Sequence, residues 1–206
     1  FKRDLRVSDH PALALAAARG PVLPVHVFEP DYWAQPDVSG RQFDFVSESI
    51  EALRADLAAL GLTLVVRVGR VVDVLDDVRA QAPFAQLVSH EEIGSAWTFA
   101  RDRDVAAWAG ANGVRLTELA QSGVVRRLDG RDGWAKQRNA FLRLPQVDVA
   151  KLDMRERLTG PDLPSDDVPR LVAGDHCPQR QHGGRRAGLV LLGSVLPERG
   201  QASRRA

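Results

Sequence analysis

Two hydrophobic patterns take turns along the first 116 residues. Apolar residues recurring at threes and fours, the spacing of one buried helix face, predict helices over 11–19, 42–60, 71–81, 103–111 and 132–142. In the second of these, Phe43, Val46, Ile50, Leu53, Leu57 and Leu60 form the stripe, with Glu48, Glu51, Arg54 and Asp56 outside it. Between the helices lie short β-branched runs at 22–28, 62–68, 84–88 and 114–116. Their near-continuous apolar character fits parallel strands covered on both faces, whereas a half-exposed strand would alternate. Gly20-Pro21, Gly61, Gly69 and Asn112-Gly113 mark the turns, the last pair as a helix end. Strand alternating with helix predicts an α/β fold: an open, mostly parallel, Rossmann-like sheet with helices on both faces.

Such a domain opens with an apolar run, and the chain joins that pattern at what would be the run's last residue, Phe1. The expectation is that the first strand is largely missing. Because that strand usually lies mid-sheet, its neighbours would carry open hydrogen-bonding groups and the chain would be poorly stable alone. Residues 160–184 are rich in Pro, Asp, Gly and Arg and read as a linker. Residues 187–196 follow as a short helix, apolar on most of its circumference, with Pro197 as a turn or break. Such a helix suits burial against a partner domain. The domain division expected is therefore 1–159 for the α/β unit and 160–206 for the linker and connector.

Composition narrows the function classes. An apolar content of 44% and a charged content of 27% fit a folded protein. A net charge of +1 provides no global field for nucleic acid or an anionic membrane. A single Cys excludes an internal disulfide framework and a multi-Cys zinc site, and His176, Cys177 and His182 do not make a structural zinc site. No apolar run spans a bilayer, and Lys2, Arg3, Asp4 and Arg6 leave no room for a signal sequence at the start. A cytoplasmic location is expected.

Candidate chemistry gathers at two loops. In Phe1-Lys2-Arg3-Asp4-Leu5-Arg6-Val7-Ser8-Asp9-His10-Pro11, the charges follow the carboxyl end of a strand, the edge where open α/β sheets bind ligands. Asp9 is expected to cap the helix opening at Pro11. The loop from His90 to Asp102, with Glu91, Glu92, Trp97 and Arg101, leaves a later strand at the same edge. Adjacent Glu91 and Glu92 point different ways and form no acid/base dyad, and Arg101 could fold back on either. Residues 122–136 are basic with one aromatic, Trp134, but Asp129 and Asp132 interrupt them and no stacking platform accompanies them. No phosphate loop, dinucleotide fingerprint or nucleophile elbow occurs, so no catalytic residue is assigned.

Four stretches resemble the photolyase/cryptochrome family: residues 1–13; Val27-Phe28-Glu29-Pro30 with Tyr32-Trp33; the His90–Asp102 loop; and Gly183-Gly184-Arg185 through Glu198-Arg199-Gly200 to Arg204-Arg205-Ala206. The resemblance implies an amino-terminal α/β domain able to hold an antenna chromophore. FAD would lie in a helical domain that these residues do not include, and the parent activity would be light-driven repair of pyrimidine dimers in damaged DNA. A cryptochrome-type blue-light sensor is the alternative, and a nucleotide-binding domain of universal-stress or electron-transfer-flavoprotein type is another. Carried over residue by residue, the antenna-facing candidates are Lys2, Asp4, Arg6, Glu91, Glu92 and Arg101, with no metal site. Folate-binding members carry an Asn-Glu pair in the later loop, where this chain has Gly94-Ser95-Ala96-Trp97. The antenna expected is a deazaflavin or none, with Trp97 partly filling the pocket. Ala202-Ser203 also stands where the family has an aromatic before Arg204-Arg205.

Overall fold

The computed structural model describes residues 1–126, 128, 130, 132–147, 149, 163–174, 177 and 179–196. Helix α1 (Pro11–Arg19) leads to strand β1 (Val25–Phe28), the one-turn helix α2 (Pro30–Trp33) and the long helix α3 (Gly40–Ala58). Strand β2 (Val65–Val68), α4 (Val71–Gln81), β3 (Gln86–His90), α5 (Ala96–Ala111) and β4 (Arg115–Leu119) continue the alternation. Two helices follow, α6 (Trp134–Leu142) and α7 (Arg185–Val195). No described helix is long and apolar enough to cross a membrane. Of the expected connector, the stretch from Pro197 to Ala206 lies outside the described residues.

The strands pair in parallel, as the pattern predicts, but in two separate two-stranded sheets, β1–β2 and β3–β4. This corrects the single continuous sheet, and the reason is visible in the backbone. A parallel strand turns alternate residues to opposite neighbours. The amides of Val65 and Gly69 bond the carbonyls of Pro24 and Phe28, at 2.9 and 3.0 Å, so even-numbered residues of β1 serve β2. Val25 and Val27 then face away, where the amine of Phe1 donates to the Val25 carbonyl at 2.8 Å. On the other side Arg115 donates to Ala85 and Glu91 to Leu119, so Gln86 and Val88 face away from β4. A continuous sheet needs one backbone bonded to both inner edges; Phe1 meets only β1.

The outer edge of β2 is closed without a strand. Ser165 Oγ accepts from the Val66 amide at 3.0 Å, and an Asp166 carboxylate oxygen accepts from the Val68 amide at 2.8 Å. The Asp166 amide returns a bond to the Val66 carbonyl at 2.8 Å. The described part of the expected linker thus protects a sheet edge that would otherwise invite pairing.

Side chains alternate with the strands. Phe28 and Val66 join α1 and α3 in the largest core, with Leu13, Ile50, Leu53 and Leu57. Val65, Val74 and Val78 pack on the opposite face, and Leu75 with Trp108 links α4 to α5. Helix α5 begins seven residues earlier than the periodicity suggests because Ser95 caps it, its Oγ accepting from the Thr98 amide at 3.5 Å. Asn112-Gly113 ends it as expected, with Gly113 in the left-handed region at φ +64°.

Among the described residues, helix α7 is held at its beginning. Gly183 and Gly184 donate to Glu48 Oε2 and Ser49 Oγ of α3, at 2.7 and 2.9 Å. Its apolar residues remain largely uncovered, Val190 at 71% and Val195 at 67% exposure. A Cβ on Gly183 would stand 2.1 Å from the Phe45 carbonyl oxygen and 2.7 Å from the Ser49 amide. Gly183→Ala is therefore expected to lift the start of α7 off α3 at about 1–3 kcal/mol, the usual overpacking range. Faster tryptic cleavage after Arg185 checks this, and unchanged cleavage refutes it.

Candidate functional site

The two candidate loops meet through side chains: Asp4 of the first reaches His90 at the end of β3 at 2.6 Å, and Lys2 reaches Asp102 of α5 at 3.0 Å. In the first loop Arg6 bonds the carbonyls of Ser8 and Asp9, at 3.0 and 2.9 Å, and so tightens its own turn. The turn puts Asp9 at φ +48°. Asp9 does not cap α1, contrary to expectation. Its carboxylate accepts from the Val147 amide at 3.0 Å, and His10 is the cap, its Nδ1 accepting from the Leu13 amide at 2.9 Å. That acceptor role places the His10 proton on Nε2, which lies 3.0 Å from Asp4 Oδ2.

Asp4 is 2% exposed and lies at the centre of this arrangement. It accepts from the Lys2 amide at 2.7 Å and meets His90 Nδ1, at the end of β3, at 2.6 Å. Burial pushes its pKa upward, but hydrogen bonds to His10 and His90 together outweigh burial and hold the carboxyl well below the usual carboxylate range. Burial lowers the pKa of His10 despite its anionic neighbour. The cluster therefore holds one carboxylate against a neutral His10.

Beside it runs an ionic network. Lys2 Nζ contacts Asp102 and Glu118, each at 3.0 Å. Arg101 bonds Glu92, Asp102 at 2.9 Å and Glu29 at 3.3 Å. Arg3 meets the other Glu92 oxygen at 2.7 Å, and Arg126 meets Asp102 at 2.6 Å. Four cations, Lys2, Arg3, Arg101 and Arg126, thus face four carboxylates, Glu29, Glu92, Asp102 and Glu118. Burial alone would weaken the hold of Arg101 on its proton; the surrounding acids more than reverse this and raise its pKa. Glu29 shifts the other way, its pKa raised by burial against the pull of Arg101. Its Oε1 also accepts from the Val71 amide at 3.0 Å, satisfying one of the free donors that open α4.

Above this floor opens a cavity of about 970 Å³. Lys2, Arg6, Glu92 and Arg101 line it, with Tyr32, Trp33 and Phe45 as aromatic walls. The structure thus gathers four of the six antenna-facing candidates. Asp4 braces the loop from beneath without lining this cavity, and Glu91 stands outside the lining, its amide bonded to Leu119. Trp97 is not among the lining residues either; it rests on Tyr32, ring centroids 5.5 Å apart. Nor do the described residues pair a nucleophile with a base along this cavity.

Asp4, His10 and His90 offer ligand atoms within 4.8 Å of one another, so they are the described residues nearest to a metal constellation. The 2.6 Å approach of His90 to Asp4 is a hydrogen-bond distance. Ligand atoms held at ~2.1 Å around a tetrahedral zinc lie ~3.4 Å apart. The cluster as it stands is spaced for a shared proton. Sequence reasoning missed His10, His90, Glu29, Asp102, Glu118 and Arg126. His10, Glu29, His90 and Asp102 lie in the stretches that carry the resemblance, whereas Glu118 and Arg126 had no such signal.

The family model described as DNA photolyase matches residues 1–130. Cryptochrome-1 of Sinapis alba is 39% identical over 94 residues, 44% of this chain and 18% of that protein. Cryptochrome DASH of Natronomonas pharaonis is 34% identical over 124 residues, 57% of this chain and 26% of that protein. A solved Synechocystis cryptochrome shares the fold at a TM-score of 0.73 and 18% identity, over 94% of this chain and 44% of that one. The chain thus spans a minor part of each relative's length.

Proposed function

The chain belongs to the DNA photolyase family, whose model covers residues 1–130, and on that premise we propose that it is the antenna-binding α/β domain of a cryptochrome-type blue-light receptor. The cavity at the carboxyl ends of β1 and β3 carries the proposal. The cavity, about 970 Å³, runs on between β1 and β3, where Val25, Val27, Leu87 and Val88 line it; toward the loops its aromatic walls and charged floor suit a flat ring system bearing polar edges. Lys2, Arg6, Glu92 and Arg101 would meet the chromophore, Asp4 would hold their loop in place, and the chromophore would be a deazaflavin. The absence of the Asn-Glu pair around Gly94-Ser95-Ala96-Trp97 weighs against folate.

Titrating the chain with an 8-hydroxy-deazaflavin and, separately, with a reduced folate tests this. One equivalent of deazaflavin with quenched fluorescence is expected; stoichiometric folate binding without deazaflavin binding overturns the assignment. The cryptochrome names of the matched relatives favour photosensing. Light-driven repair is the second reading, favoured by the description of the family model itself. Blue illumination of a polypeptide carrying this domain, with dimer-containing DNA, separates the two: loss of dimers supports repair, and their persistence supports sensing. The uncovered apolar residues of α7 would then pack on a neighbouring helical domain, where FAD would reside and damaged DNA would bind in a repair enzyme. The family membership argues against the universal-stress and electron-transfer-flavoprotein alternatives.

A further inference from the structure

Tyr32 brings to the cavity a donor without an acceptor. We infer, on the premise that this cavity takes the chromophore, that Tyr32 is a specificity-determining residue for it: the tyrosine hydroxyl, with Arg3 behind it, donates to an oxygen at the edge of the bound ring and selects rings that carry one.

A phenolic oxygen accepts through its lone pairs and donates through one proton. Arg3 Nη2 donates to Tyr32 Oη at 2.8 Å, so a cation occupies the accepting side. The proton has no acceptor among the described residues. Tyr32 is half-buried and lines the cavity, where a ligand oxygen would complete its hydrogen bonding. Burial also raises the pKa of the phenol and outweighs the opposing pull of Arg3, so the proton is in place at neutral pH.

The hydroxyl is held in place from two directions. The ring of Tyr32 packs on both Trp33 and Trp97, with centroids 5.2 and 5.5 Å away. Arg3 is held in turn: its Nε meets Glu92 Oε1 at 2.7 Å, and its Cζ lies 5.7 Å from the Tyr32 ring centroid. Gly94 leaves room for this arrangement. A Cβ there would stand 3.4 Å from Arg3 Nη2, 3.1 Å from Glu92 Oε1 and 2.6 Å from Thr98 Oγ1. The donor is thus positioned before any ligand arrives, and using it costs little ordering entropy. The guanidinium polarises the O–H. Lys2, Arg6 and Arg101 line the same cavity against Glu29 and Glu92, which further favours an electron-rich oxygen. The 8-hydroxyl of a deazaflavin supplies such an oxygen. A ring edge of carbon and hydrogen would cover the tyrosine proton without pairing it, and so bind less tightly.

The test titrates 8-hydroxy-5-deazaflavin, and the same ring without the 8-hydroxyl, into the parent chain, Tyr32→Phe and Arg3→Met, with Kd read from fluorescence quenching. The parent is expected to prefer the hydroxylated ring by about tenfold or more. Tyr32→Phe keeps the aromatic packing and should bind the ring lacking the hydroxyl as the parent does, which also reports that it is folded. Its preference for the hydroxylated ring should be gone. Arg3→Met should lose part of that preference, and an unchanged preference would remove Arg3 from the assignment. Equal affinity of the parent for the two rings overturns the inference while leaving the chromophore reading intact, and so does a preference that survives in Tyr32→Phe. Failure of the parent to bind either ring overturns the deazaflavin reading, and this inference with it.

Discussion

Replacing Asp4 with alanine is expected to destabilise the fold by about 3–5 kcal/mol, the range for removing one partner of a buried charged arrangement. The effect is large because three elements lose the same acceptor at once. The Lys2 amide, the His90 ring at the end of β3 and the His10 ring at the start of α1 all converge on this carboxylate. His90 is 1% exposed and His10 3%, so neither can turn to water for a replacement. Asp4→Asn keeps the shape and can still accept from Lys2, but its amide hydrogens would confront the protonated nitrogen of one histidine. It should cost less, about 1–3 kcal/mol. Urea denaturation followed by circular dichroism measures both, and an Asp4→Ala midpoint equal to that of the parent would show that the cluster contributes nothing.

Acid is expected to weaken the fold well before carboxylates titrate. Burial, aided by the charged Phe1 amine, holds His26 near a pKa of about 3, against 6.5 for an ordinary histidine. Its folded pKa is depressed, so the folded state prefers the neutral ring. Above pH 6.5 both states are neutral there and its contribution is intact. Between 6.5 and about 3 the unfolded chain takes up a proton that the folded chain refuses, and stability falls with pH. At ~1.4 kcal/mol per unit the loss across that window approaches ~5 kcal/mol, which rivals the whole stability of a modest domain. His10 acts in the same direction, also through burial. Asp4, lowered far below its ordinary 3.8, adds its own loss only as the pH drops under that value. Urea midpoints measured from pH 7 to 4 check this. His26→Leu should flatten the slope, and a parent curve already flat between 6.5 and 4 would contradict the assignment.

Where the sequence pattern was local, it was sufficient. Helices over 11–19 and 71–81 appear with the bounds their periodicity predicts. The start of α3 was also written in the chain: Ser39 and Gln42 form a capping box, a spacing that places the first turn at Gly40 and not at Gln42. Helix α5 was harder, because Arg101-Asp102-Arg103-Asp104 interrupts its apolar stripe and leaves Ser95 as the mark of its start. The site divides in the same way. Glu92 follows β3 and Arg101 lies in the helix after it, so both could be placed at the ligand edge from order alone, whereas Lys2 and Arg6 follow no described strand. That Asp4 would be buried beneath them, or that Glu118 would complete their charges, depends on contacts 86 and 116 positions apart, and Arg126 reaches Asp102 across 24. No periodicity encodes such contacts. The break between the sheets is of the same kind, since apolar runs announce strands but not which edges meet.

The partners of the opening loop also set an order in time. Lys2 closes on Asp102 and Glu118, 100 and 116 positions later, and Asp4 closes on His90 after 86. Closing such spans costs chain entropy before any contact repays it. During synthesis α1, β1, α3 and β2 can assemble among themselves, whereas the loop ahead of α1 must wait for β3 and β4 to emerge. The loop ahead of α1 is therefore among the last parts of the fold to settle, and until then the charges of Lys2, Arg3, Asp4 and Arg6 stand open to whatever else is near.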